Sequence, residues 1–102
     1  MSFLPKRGMF LLKKINQHMR YEVQLKPSAE KKLERLPKRA QTRIHVAFLQ
    51  LAQNPYIGKK LSSPFKDCYS VKIFPYRVLY GIYKKELVVF VFDLGHRKDI
   101  YK

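Results

Sequence analysis

Alternation of apolar and polar positions is cleanest in "CYSVKIF", residues 68–74. Tyr69, Val71 and Ile73 fall on one face there, and Ser70 and Lys72 on the other, as in a half-buried strand. "YRVLYGIY", residues 76–83, repeats the pattern, with Val78, Tyr80 and Ile82 opposed to Arg77 and Leu79. Pro75 supplies the turn between the two. After a second turn at Lys84 and Lys85, "ELVVFVFDL" is apolar on both faces. A strand of that kind belongs in the middle of a sheet. Nearer the N-terminus, Tyr21, Val23 and Leu25 alternate with Glu22 and Gln24, which predicts a first strand with one buried face.

Between these strands the period changes to that of helices. Pro27 and Ser28 stop the first strand, and Ser28 is a suitable N-cap for a helix over 29–36. Pro37 opens a second helix in the first-turn position it tolerates. Ala40, Ile44, Ala47, Phe48 and Leu51 line one face of that helix, opposite Lys38, Gln41, His45 and Gln53. "NPYIGKK" ends it. The predicted order is β-α-α-β-β-β: an α+β fold with an antiparallel two-helix hairpin on one face of a sheet whose last three strands form an antiparallel meander.

Residues 1–19 read as a basic N-terminal extension, disordered or forming a short helix around 11–17, with Met19 as an alternative start; the domain spans 20–102. The apolar run "GMFLL" is too short for a signal peptide and is cut off by Lys13 and Lys14. No stretch approaches the length of a transmembrane helix. No membrane association is expected, and the expected location is the cytoplasm.

Charge changes the picture most. The 102 residues carry 22 Lys and Arg against 7 Asp and Glu, a formal net charge of +15. With 46% hydrophobic and 14% aromatic residues the chain is globular and not a disordered polycation. A compact body with that excess repels itself unless an anionic partner relieves it, and nucleic acid is the partner such a footprint fits best. Cys68, the single cysteine, permits no internal disulfide and reads as a small hydrophobe at a strand start. His18, His45 and His96 lack ligand-type spacing, so neither a metal nor another cofactor is expected.

If Phe74-Pro75 is a two-residue loop, Lys72 lies directly opposite Arg77 on the sheet face away from the helices. Like charges so opposed cost up to about 1 kcal/mol. Taken alone, the pair fits equally an anion site or two side chains that reach separately into solvent. The closing stretch "DLGHRKDIYK" tips the balance, because it brings His96, Arg97 and Tyr101 to the edge of the same sheet. Lys59, Lys60 and Lys66 of "KKLSSPFK" form a basic loop beside them, suited to holding RNA. Cations together with groups able to move protons are what cleaving RNA requires.

The order β-α-α-β-β-β, with "GKKL" (58–61), "DCYSVKI" (67–73), "YRVLYGI" (76–82) and "LVVFVFDLGHRKDIY" (87–101), resembles the RelE/ParE superfamily of toxin–antitoxin toxins. The likeness covers residues 20–102. It implies a ribosome-dependent endoribonuclease that cuts mRNA in the ribosomal A site by attack of a ribose 2′-hydroxyl on the adjacent phosphate. It also implies a cognate antitoxin as partner and a monomeric free toxin. By the same resemblance, Arg77 and Arg97 match two arginines that stabilise charge on the phosphate, and Lys72 a strand lysine that positions it. Tyr101 falls near a C-terminal tyrosine, and His96 sits where some relatives use an acid or base. Two departures stand out: Ser70 replaces a second strand lysine, and Tyr101 lies closer to the arginine than in RelE, with no helix following.

Two further readings remain. A ParE-like protein poisons DNA gyrase and cuts no RNA; its chains generally lack the set in "GHRKDIY". A non-catalytic RNA-binding module would use Lys72, Arg77 and Arg97 only to grip phosphates.

Overall fold

The computed structural model describes residues 11–12, 20–61 and 68–100. Six strands make one sheet: β1 (Leu11–Leu12), β2 (Glu22–Leu25), β3 (Lys59–Lys60), β4 (Tyr69–Ile73), β5 (Tyr76–Tyr83) and β6 (Val88–His96), in the spatial order β1-β2-β6-β5-β4-β3. Two helices, α1 (Pro27–Glu34) and α2 (Lys38–Gln53), lie between β2 and β3 in the chain, and a 3-10 turn (Pro55–Ile57) follows them. A one-turn helix, α3 (Arg97–Ile100), continues from β6.

β6 sits in the middle, as its apolar faces predict. It pairs parallel with β2, Val23 beside Val89, and antiparallel with β5, Ile82 beside Val89. The α+β architecture is therefore the predicted one, with the helices over one face. Ile44, Phe48 and Leu51 of α2 meet Val23, Leu25, Val78, Tyr80, Val89, Val91 and Leu94 of the sheet in one buried cluster. All five positions predicted for the inner face of α2 are buried. Gln41, on the other face, donates from Nε2 to the carbonyls of Glu34 and Leu36 and so satisfies the end of α1.

Local details depart from the sequence reading in five places. Helix α2 begins at Lys38, with Pro37 as its N-cap and not its first helical residue. Helix α1 begins at Pro27 with Lys26 as the N-cap, and no side chain caps it. Proline lacks the N–H that a first turn leaves unsatisfied and has its φ preset, so it displaces Ser28 from the capping position. Leu11–Leu12 forms a strand paired with Val23 and Gln24 instead of opening a helix. Gln24, expected in solvent, is buried, because the second sheet face is not bare at that point. Lys59–Lys60, expected in a loop, pairs with Ser70 and Tyr69 as the edge of the sheet.

Tyr80 ties that edge in place. Its ring is fully buried, its hydroxyl donates to the Pro55 carbonyl at 2.7 Å and accepts from the Gly58 N–H at 3.1 Å. Gly58 has to be glycine: a Cβ there would stand 2.2 Å from the Tyr80 hydroxyl and 2.9 Å from the Ser70 carbonyl oxygen. Burial pushes the Tyr80 phenol up to about 12, against the Gly58 N–H, which favours the phenolate.

This tie gives three expected stability outcomes. Tyr80→Phe leaves the Pro55 carbonyl and Gly58 N–H unpaired and costs about 1–3 kcal/mol, read as a lower urea midpoint at neutral pH. The folded phenol keeps its proton to higher pH than an unfolded one, whose pKa is near 10. Its contribution is thus complete below about pH 10 and is lost as the pH rises to about 12; Tyr80→Phe flattens that alkaline fall. Gly58→Ala forces β3 away from β4 and costs about 1–3 kcal/mol by the same measurement.

Candidate phosphate-binding site

The turn Phe74-Pro75 has two residues, so Ile73 pairs with Tyr76 and Lys72 stands directly opposite Arg77. Alternation then fixes which side chains share a face. Val71 and Val78 turn to the helices, while Lys72, Arg77 and the Ser70–Leu79 pair turn away. Lys59 pairs with Ser70 and so joins that second face. Lys59, Ser70, Lys72 and Arg77 line one cleft of about 420 Å³, with Ile57 and Gly58 at its rim.

Three cations therefore converge where a fold selected for stability alone would separate them. Gly95 lies opposite Arg77 on β6 and carries no side chain. Ser70 is buried beside the cations, and its Oγ has no hydrogen-bond partner among the described residues. A buried hydroxyl without a partner is costly.

Arg97 belongs to the same end of the sheet without lining the cleft. Its backbone N–H donates to the Pro75 carbonyl at 2.8 Å, and its guanidinium lies over the Phe74 ring, 5.4 Å from the centroid. Lys72 and Phe74 share a second, shallower groove with Arg43 of α2, a cation the sequence reading did not single out.

His96 does not join this group. It pairs with Tyr76, one position beyond the Arg77–Gly95 pair, and so faces the helices. Its ring meets Tyr76 edge-on at 6.0 Å, its Nδ1 accepts from the Lys98 N–H at 3.2 Å, and it lines a pocket with Lys32, Arg35 and Leu36. Lys60 likewise turns away from Lys59, toward the helix side of the edge. Lys66 and Tyr101 lie outside the described residues.

Cys68 is buried, and burial raises its thiol pKa, so thiolate is disfavoured. Among the described residues no three His, Cys, Asp or Glu side chains gather as metal ligands would, and no helix is long and apolar enough to cross a membrane. A partial signal for Lys59 existed in the sequence: only the parity of its pairing with "YS" separates it from Lys60.

The family described as "ParE toxin of type II toxin-antitoxin system, parDE" matches residues 23–101. Toxin RelG of Mycobacterium tuberculosis is 31% identical over 86 residues, which are 82% of this chain and 99% of that protein. A chain of the toxin–antitoxin complex RelBE2 of Mycobacterium tuberculosis superposes with a TM-score of 0.68 at 28% identity, covering 74% of this chain and 95% of that one. The isolated RelE toxin of Escherichia coli gives a TM-score of 0.65 at 25% identity, covering 78% and 88%. The family match and these relatives place the domain among the toxins of type II toxin–antitoxin systems. The chain belongs to the RelE/ParE superfamily.

The electrostatic conflict in the cleft has its own test. Lys72→Gln removes the cation opposite Arg77 and raises the urea midpoint, with a gain of up to about 1 kcal/mol. The gain is larger at low salt, where exposed charges are less screened.

Proposed function

We propose that this toxin is a ribosome-dependent endoribonuclease that cleaves mRNA in the ribosomal A site. The observation that carries the reading is the convergence of Lys59, Lys72 and Arg77 on one cleft, with Arg97 held at the adjoining turn. In the reaction the ribose 2′-oxygen attacks the neighbouring phosphorus, and the bond from phosphorus to the 5′-oxygen breaks. A 2′,3′-cyclic phosphate and a 5′-hydroxyl result. Negative charge builds on the phosphate oxygens along the way, and fixed cations oppose it most strongly in a site that excludes bulk water.

Arg77 and Arg97 take the role of charge stabilisers, and Lys72 positions the phosphate. Lys59 grips a non-bridging oxygen. The proton of the attacking hydroxyl passes to solvent, with Tyr101 sharing in the transfer as the family resemblance implies, and the leaving 5′-oxygen takes one up. His96 faces away from these groups and supports the α1 side of the tail instead. The formal charge of +15 suits a ribosomal RNA surface. A cognate antitoxin is the second partner, acidic where it covers the cations. Relatives solved as toxin–antitoxin complexes support that assignment.

One observation favours a second reading. The matching family is described by its ParE toxin, and turning His96 away removes a proton-transfer group from the cleft. Under that reading the chain acts on DNA gyrase, and the cations serve only binding.

Induction without antitoxin, followed by mapping of transcript 5′ ends, separates the two. The nuclease reading expects translation arrest and cuts within translated frames; a DNA-damage response without such cuts supports the gyrase reading. Arg77→Ala and Arg97→Ala are each expected to slow cleavage of ribosome-bound mRNA by about 10²-fold or more. His96→Ala is expected to leave the rate nearly unchanged.

A further inference from the structure

A second cleft, of about 430 Å³, opens on the helix side of the sheet edge, lined by Tyr56, Lys60, Tyr69, Ile82, Tyr83 and Lys84. Tyr56 and Tyr83 are 45% and 40% exposed, which is unusual for rings with so much apolar area to hide. Neither belongs to the buried cluster. The mounting of Tyr56 is nonetheless fixed. The Asn54 Oδ1 accepts from the Tyr56 N–H at 3.1 Å, Tyr56 meets Tyr69 edge-on at 6.1 Å, and Tyr69 stacks on buried Tyr80 at 5.6 Å. Lys84 Nζ lies 5.8 Å from the Tyr56 ring centroid.

Exposed aromatic faces beside two lysines form a stacking platform with phosphate contacts, the recurrent means of holding single-stranded nucleic acid. The position adds a second argument. β3 is the outer edge of the sheet, and its consecutive residues point to opposite faces. Lys59 enters the phosphate cleft, and Lys60 enters the tyrosine cleft. Lysines on an edge strand also deter pairing with other chains, but that purpose does not call for two exposed tyrosine rings beside them.

We infer that the Tyr56–Tyr69–Tyr83 cleft, with Lys60 and Lys84, is a base-stacking subsite for single-stranded RNA that crosses edge strand β3 from the Lys59–Lys72–Arg77 cleft. In naming RNA as the ligand, this rests on the nuclease reading. Rings accept any base face, so the subsite adds affinity and register along the strand without reading sequence. A strand that crosses β3 places one nucleotide on the tyrosines and a neighbouring phosphodiester among the cations.

The test uses a labelled 2′-O-methyl oligouridylate, whose blocked 2′-oxygen cannot attack, so binding is read apart from cleavage. Fluorescence anisotropy is expected to show about 10-fold weaker binding for the Tyr56→Leu/Tyr83→Leu double variant, with the salt slope unchanged. Lys60→Gln/Lys84→Gln is expected to lower the salt slope. Wild-type affinity in the tyrosine variant, at an unchanged urea midpoint, overturns the inference. If that variant does not fold, nitration of the wild-type protein decides. Protection of Tyr56 and Tyr83 by the oligonucleotide supports the subsite, and equal nitration with and without it overturns it. Absence of cleavage by the wild-type protein on ribosomes sinks the nuclease reading while leaving these binding measurements decisive. Unchanged affinity in the tyrosine variant sinks the subsite and leaves the nuclease reading standing.

Discussion

A phenol hydroxyl in the middle of the sheet holds both clefts in position. Tyr80 donates to the Pro55 carbonyl and accepts the Gly58 N–H, so β5 is bonded to the segment that leaves α2. That segment continues directly into β3, and β3 carries the two lysines that divide between the sheet faces. Gly58 permits the approach because no Cβ fits between its backbone and the hydroxyl. The bonds are buried, where an unpaired donor or acceptor is expensive, so the edge strand is held to the sheet instead of trailing as a basic loop. Apolar packing builds the scaffold, and the Tyr80 hydroxyl, together with the β3–β4 pairing, holds Lys59 and Lys60 where they stand.

The strands facing the cleft were the easiest to read from the sequence. "SVKI", a two-residue turn and "YRV" sufficed to place Lys72 against Arg77, because a short loop leaves a single register. The apolar faces of β6 announced its central position for a similarly direct reason. Other features gave little local signal. A strand of two residues such as Lys59–Lys60 has no periodicity to detect, and alternation at Gln24 tells which face a side chain takes but not what covers that face. His96 is the most instructive case. Proximity in sequence to Arg97 suggested a shared site, whereas pairing with Tyr76 instead of Arg77 turns it to the opposite side. Sites on strands are sorted by parity before they are sorted by distance, and parity needs the partner strand.

The cleft sets stability against binding. Lys72 and Arg77 are opposed across neighbouring strands, and Lys59 joins them, within a chain whose excess positive charge already works against compactness. Asp93 does not line the cleft; it pairs with Lys32 at 2.7 Å, on the α1 side. The same framework serves toxins described by RelE and by ParE names, so the fold alone does not determine the target. Around the cations stand a buried Ser70 hydroxyl with no hydrogen-bond partner among the described residues, a glycine opposite Arg77 and an arginine over the Phe74 ring.

The parallel pairing of β2 with β6 has a consequence for how the toxin comes into being. Glu22 waits for Val88, and Arg77 for Gly95, so the earliest main strand and the cleft both depend on the last strand to be synthesised. Chains emerge N-terminus first, and contacts so distant in sequence form only after a long loop closes. Until the central strand slots in, a nascent copy has neither its first main strand nor its cations anchored to the core, so the charged face is assembled only late in synthesis.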